Sequence, residues 1–87
     1  MYKSIGMPEF YQEAKRHQLP IIDVREIDEY EAGHVPNAKN LPLSTLGETF
    51  VTLEKEQEYY IICQSGGRSA RAAEFLSQQG YDVTNVM

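Results

Sequence analysis

The sequence predicts an α/β protein, on three observations: two short apolar runs without alternation, helix-forming stretches after them, and glycines where those helices should stop. The stretches "LPIIDV" (19–24) and "EYYIIC" (58–63) carry β-branched and aromatic residues with no polar face, the pattern of strands covered on both sides. Such strands, alternating with helices over short spans, imply right-handed crossovers and a mainly parallel central sheet flanked by helices. At 87 residues the chain is expected to form a single domain, 1–87, around one modest core.

Each element has its own signal. In "GMPEFYQEAKRHQ" (6–18), Pro8 suits a first helical turn and Glu9 complements the dipole there. Met7, Phe10, Tyr11 and Ala14 recur at helical spacing, and the helix is expected to end near His17 or Gln18. The strand at 19–24 begins with Pro20, where a strand tolerates proline. "IDEYEAG" (27–33) predicts one or two helical turns stopped by Gly33. "HVPNAKNLPL" (34–43), with two prolines and two asparagines, predicts a turn and a short extended segment around Lys39 to Leu41. "STLGETFVTLEKE" (44–56) reads as one or two short helices interrupted by Gly47. After the strand at 58–63, "RSARAAEFLSQQ" (68–79) predicts a helix with Ala72, Phe75, Leu76 and Gln79 toward one face and Gly80 as its stop. "YDVTNV" (81–86) predicts the last strand, and residues 1–5 receive no assignment.

Composition narrows the function. A net charge of −5 argues against general attraction to nucleic acid or to anionic membranes. No apolar stretch approaches the roughly 18 residues of a membrane span, and the N-terminus lacks a basic region followed by an apolar core, so a cytoplasmic protein is expected. One cysteine supports neither an internal disulfide nor a cysteine-rich zinc site, so structural staples and most structural metals drop out. What remains for Cys63 is inert packing or reactivity.

The surroundings of Cys63 favour reactivity. In an open α/β sheet the ligand site lies beyond the carboxyl ends of the strands, and Cys63 occupies such a point. Gln64, Ser65, Gly66 and Gly67 separate it from Arg68, and the glycines allow the backbone to curl with its N–H groups inward. The next helix adds its dipole and Arg68 a full charge, giving an anion cradle around sulfur. A thiol so held loses its proton more easily, and the thiolate is the nucleophile. A lone cysteine at a strand end is more often a small buried hydrophobe, but a glycine pair and an arginine ahead of a helix are not part of that picture.

Three motifs, in order, carry a resemblance to the rhodanese family of sulfurtransferases. "IIDVRE" (21–26) resembles the family's strand ending in Asp-x-Arg, here Asp23 and Arg25. "EYEAGHVPNAKNLPL" (29–43) resembles its Gly-His-(Ile/Val)-Pro-x-Ala segment through Gly33, His34, Val35, Pro36 and Ala38. "CQSGGRS" (63–69) resembles the active loop, with Cys63 accepting sulfur and Arg68 closing the loop. The resemblance implies a two-step transfer through a Cys63 persulfide, from thiosulfate or a persulfide donor to a thiol or cyanide-type acceptor. It implies no cofactor and admits a sulfur-relay protein as partner. Gln64, Ser65, Gly66, Gly67 and Arg68 are then expected to line the pocket through backbone N–H groups, with the Ser65 and Ser69 hydroxyls as added donors.

Related phosphatase and arsenate reductase loops place five residues between cysteine and arginine, whereas this chain has four. The tighter ring suits a sulfur atom more than a tetrahedral oxyanion. A persulfide carrier module with little turnover of small donors is the other reading. Asp23 and Arg25 are expected to form an ion-paired brace. His34 is expected to be structural, with a ring nitrogen bonded to a backbone carbonyl, and "EIDEYE" (26–31) to be a solvated acidic face. Rhodanese domains usually continue into a final helix that this sequence does not contain, so either that helix is lost or the sequence is part of a longer protein. Without that helix, apolar surface is expected to be exposed, promoting association or low stability.

Overall fold

The computed structural model describes residues 2–87. Its sheet has five parallel strands in the order β1-β5-β4-β2-β3: Lys3–Ile5, Ile21–Asp23, Lys39–Asn40, Glu58–Ile62 and Asp82–Val86 for β1 to β5 in chain order. The helices are α1 (Met7–Arg16), α2 (Ile27–Ala32), α3 (Leu46–Thr49) and α4 (Gly67–Gln78). Single 3₁₀ turns flank α3, at Leu43–Thr45 and Phe50–Thr52.

Local chemistry accounts for the ends of these elements. α1 opens with proline and an acidic first turn and closes on Lys15 and Arg16, one or two residues short of the sequence expectation. α2 carries a capping box built from Glu26 and Glu29, the Glu26 N–H donating to Glu29 Oε1 at 3.0 Å. Tyr81 N–H donates to the Leu76 carbonyl past Gly80, which turns the chain out of α4 into β5. β1 is missed by sequence pattern because its first two residues are exposed; it joins the sheet by backbone pairing with Thr84 to Val86.

Alternation along the central strands splits the core into two layers. Ile22, Tyr59, Ile61 and Val83 face α3 and α4, where Leu46, Ala72, Ala73 and Leu76 meet them. Ile21, Ile62 and Val86 face the other way, onto Phe10 of α1 and Ala38. Unalternating apolar strands are the direct result of cover on both faces. The last strand is covered, since Val83, Thr84, Asn85 and Val86 are all buried, while the large apolar side chains exposed among the described residues are Tyr11, Ile27, Val51 and Met87. α4 covers one side of β5, and α1, reached through the β1 crossover, covers the other.

The two layers differ from the surface in how they bear truncation. Leu76→Ala opens a cavity in a fully buried position and is expected to cost about 2–5 kcal/mol. Ile27→Ala, at an exposed position on α2, is expected to stay within about 0.5 kcal/mol. Urea unfolding of both variants against wild type checks the pair, and equal losses would contradict this core assignment.

Candidate active site

β4 ends at Ile62, so Cys63 is the first residue beyond the carboxyl edge of the sheet, and α4 begins four residues later. Gly66 bridges the gap with φ of 90°, a left-handed conformation that glycine adopts without penalty. That turn aims the Gly66 N–H at Cys63 Sγ, 3.0 Å away, and the Ser69 N–H from the first turn of α4 reaches the same sulfur at 3.2 Å. Sγ lies 3.3 Å from Ser69 Oγ, to which the thiol donates, while the Ser69 hydroxyl donates to the Gly66 carbonyl at 3.1 Å. Once the thiol is ionised, that hydroxyl can turn to donate to sulfur. Burial pushes the Cys63 thiol up, but the Ser69 hydroxyl and the backbone amides of Ser69, Gly66 and Ser65 outweigh it and bring it below its ordinary value. The arrangement can therefore hold a thiolate with its lone pairs met by amides, at a partly exposed position.

The charged residues pair with one another around this sulfur. Arg68 is not directed at it: its Nη1 and Nη2 donate to Glu29 Oε1 and Oε2 at 2.6 and 2.9 Å. This bidentate bond, helped by the Glu26 N–H, holds Glu29 down at about 2. It ties α2 to the start of α4. Asp23, fully buried at the end of β2, accepts from Arg25 Nε at 3.0 Å and Nη2 at 2.8 Å and from the Arg25 N–H at 3.0 Å. Arg25 Nη2 also donates to the Gly33 carbonyl at 2.7 Å. Asn40 Nδ2 donates to the carbonyls of Asp23 and Arg25, both at 2.9 Å, and so fixes the chain where it leaves β2. His34 stacks on Tyr30 with ring centroids 3.7 Å apart, and its Nδ1 meets the Tyr30 carbonyl at 2.8 Å.

Beside Cys63 lies a pocket of about 400 Å³. Met7, Phe10 and Tyr11 of α1 form one wall, and Val35, Pro36 and Ile62 continue the apolar surface. Its polar lining, apart from the thiol, is Asp23, Arg25 and His34.

The structure thus brings Cys63, Gly66 and Ser69 into contact and sets Asp23 and Arg25 beside them as the expected brace. His34 has the carbonyl partner expected of it. Gln64, Ser65 and Gly67 are exposed on the loop, and Ser65 acts on sulfur through its amide. Arg68 departs from the sequence expectation of a charge closing the cradle, because a nearer carboxylate takes it. The acidic stretch at 26–31 is correspondingly more than a solvated face: Glu29 holds Arg68, and Glu26 accepts from Ser44 Oγ at 2.9 Å. Sequence reading missed Glu29 and Asn40. The capping-box spacing of Glu26 and Glu29 was the available signal for the first, and nothing local marks the second.

A five-stranded parallel sheet flanked by helices, with a single thiol held by amides at a strand-to-helix junction, defines an α/β fold of rhodanese-like type. The chain belongs to the rhodanese-like domain family, whose pattern matches residues 7–87. It is 44% identical over 70 residues to the putative sulfur carrier protein YrkF of Bacillus subtilis, a match covering 79% of this chain and 38% of that protein. It is 35% identical over 81 residues to the thiosulfate sulfurtransferase GlpE of Coxiella burnetii, covering 93% of this chain and 76% of that one. Among solved structures, a rhodanese-like domain protein from Staphylococcus aureus superposes with a TM-score of 0.90 at 36% identity, covering 97% of this chain and 83% of the other.

Gly66 carries the geometry. A side chain at φ of 90° is strained, so Gly66→Ala is expected to cost about 1–2 kcal/mol and to swing one amide off the sulfur. Alkylation of Cys63 by iodoacetamide at neutral pH is expected to slow severalfold in the folded variant, and an unchanged rate would show that this amide does not hold the thiolate.

Proposed function

We propose that the protein is a rhodanese-type sulfurtransferase that moves a sulfane sulfur from thiosulfate or a persulfide donor to a thiophilic acceptor through a persulfide on Cys63. The observation that carries this reading is the convergence of the Gly66 and Ser69 amides on Cys63 Sγ, at 3.0 and 3.2 Å. Family membership and relatives named sulfurtransferase and sulfur carrier support it.

In the first half-reaction the thiolate attacks the outer sulfur of the donor. A sulfur–sulfur bond forms to Cys63 as the donor's own breaks, and its electron pair leaves with sulfite or with the donor thiolate. In the second, an acceptor thiolate or cyanide attacks that outer sulfur and returns Cys63 as thiolate. Charge and electrons balance in both, so no added oxidant or reductant enters. The terminal sulfur of the persulfide carries the charge, and the amides of Ser65, Gly66 and Ser69 that act on Cys63 can follow it. Gln64 and Gly67 contribute loop backbone, Arg68 fixes the helix start through Glu29, and Asp23 with Arg25 holds the facing wall. We place the reaction in the cytoplasm, where a free thiol stays reduced. The described residues include no helix long and apolar enough to cross a membrane and no cluster of three metal-ligating side chains.

The likeness to a putative sulfur carrier favours a second reading, a persulfide carrier loaded by another protein. Intact mass after incubation with thiosulfate is expected to show a gain of one sulfur that a thiol reverses and that Cys63→Ser lacks. No gain from thiosulfate, with rapid loading from a protein persulfide, would transfer the assignment to the carrier. Equal gain in Cys63→Ser would remove both.

A further inference from the structure

The two guanidinium groups near Cys63 are both engaged by carboxylates. Arg68 gives both terminal nitrogens to Glu29, and Arg25 is bonded to the buried carboxylate of Asp23. Arg68 does not line the pocket beside the thiol, although the loop motif alone would direct its charge there. Of the other ionisable side chains in the lining, Tyr11 carries no positive charge and His34 has its Nδ1 already committed to the Tyr30 carbonyl. Opposite the sulfur, Met7, Phe10 and Tyr11 of α1 offer an apolar wall. The pocket holds about 400 Å³, far more space than a thiosulfate ion of five heavy atoms fills. A dianion entering here finds loop amides at its sulfur end and, among the described residues that line the pocket, no unpaired guanidinium or ammonium group for its sulfonate end. A donor with an organic body finds a surface to cover.

We infer that Glu29 is a specificity-determining residue: by binding Arg68 in a bidentate pair it withholds that charge from the pocket and directs Cys63 toward organic persulfides over thiosulfate. Glu29 touches no reacting atom and acts through Arg68. The donor preference rests on the sulfurtransferase reading above; the electrostatic role of Glu29 does not.

Two alkylating agents of nearly the same size, neutral iodoacetamide and anionic iodoacetate, read the field at Cys63. Their rate ratio at one pH cancels the fraction of thiolate and needs no sulfur transfer. In Glu29→Gln, whose amide keeps an acceptor for Arg68 without the charge, the iodoacetate-to-iodoacetamide ratio at low salt is expected to rise about fivefold, the effect of one cation freed at this range and partly screened by water. In the double variant Glu29→Gln with Arg68→Gln, both charges are gone and the ratio is expected to stay within about twofold of wild type. An unchanged ratio in folded Glu29→Gln overturns the inference. So does a severalfold fall in the double variant, which would mean that Arg68 already acts on anions in the wild type; this arm decides if Glu29→Gln alone does not fold. Single-turnover loading followed by intact mass supplies the donor arm, with thiosulfate against the persulfide of N-acetylcysteine methyl ester. Wild type is expected to load faster from the organic donor, and Glu29→Gln to gain about fivefold on the thiosulfate dianion and clearly less on the singly charged organic persulfide. Equal gains on both donors, or faster wild-type loading from thiosulfate, overturn the preference. Loading from neither donor overturns the sulfurtransferase reading and the preference with it, while the alkylation ratio still decides whether Glu29 masks Arg68.

Discussion

The backbone between β4 and α4 must bring two amides onto one sulfur atom, and most of the architecture serves that requirement. A parallel sheet places the end of β4 at the edge where helices begin, so the strand delivers Cys63 and the helix delivers Ser69 N–H to the same point. Gly66 supplies the left-handed residue that lets the connection close in so few steps. The fully buried Ser69 hydroxyl anchors the loop from beneath by donating to the Gly66 carbonyl at 3.1 Å. Amides do not titrate or move away, which suits them to stabilise a charge that shifts from one sulfur to the next.

The guanidinium–carboxylate pairs do a different job. Removing either member of the Asp23–Arg25 pair would leave a charge in a poorly solvated place, which is why buried pairs act as fixed joints even where they add little net stability. Through Arg25 the joint reaches the Gly33 carbonyl, and through Asn40 it reaches β3, so one wall of the pocket is tied down from two directions. The Arg68–Glu29 bond does the same between α4 and α2, a helix with no buried residue of its own. The result is a pocket whose wall is apolar and whose charges are spoken for.

Much of this could be read from the chain. The unalternating runs at 19–24 and 58–63, the helix formers after Arg68 and the glycine at 80 all gave their elements within a residue or two, because each is decided by local pattern and burial. The spacing from Cys63 to Arg68 located the site. Less legible were features that depend on partners far away in sequence. β1 has no pattern of its own and exists by pairing with β5. Asn40 gains its role from carbonyls 15 and 17 residues away. The direction of Arg68 was misjudged because Glu29, 39 residues earlier, offers two oxygens in a planar fork that takes both terminal nitrogens of the guanidinium. The cover that α1 gives β5, through Phe10 against Val86, depends likewise on a crossover from β1 that the sequence reading had not assigned.

The central claim is that amides and the Ser69 hydroxyl hold the Cys63 thiol in its ionised form against the cost of its partial burial. The ultraviolet absorbance of the thiolate, followed by titration with Cys63→Ser as the blank, measures this without any substrate. The account predicts that the absorbance step falls at lower pH than for an unperturbed cysteine, and that it moves upward in Ser69→Ala, which loses the hydroxyl. A step at or above the ordinary thiol range in the wild-type protein would contradict it.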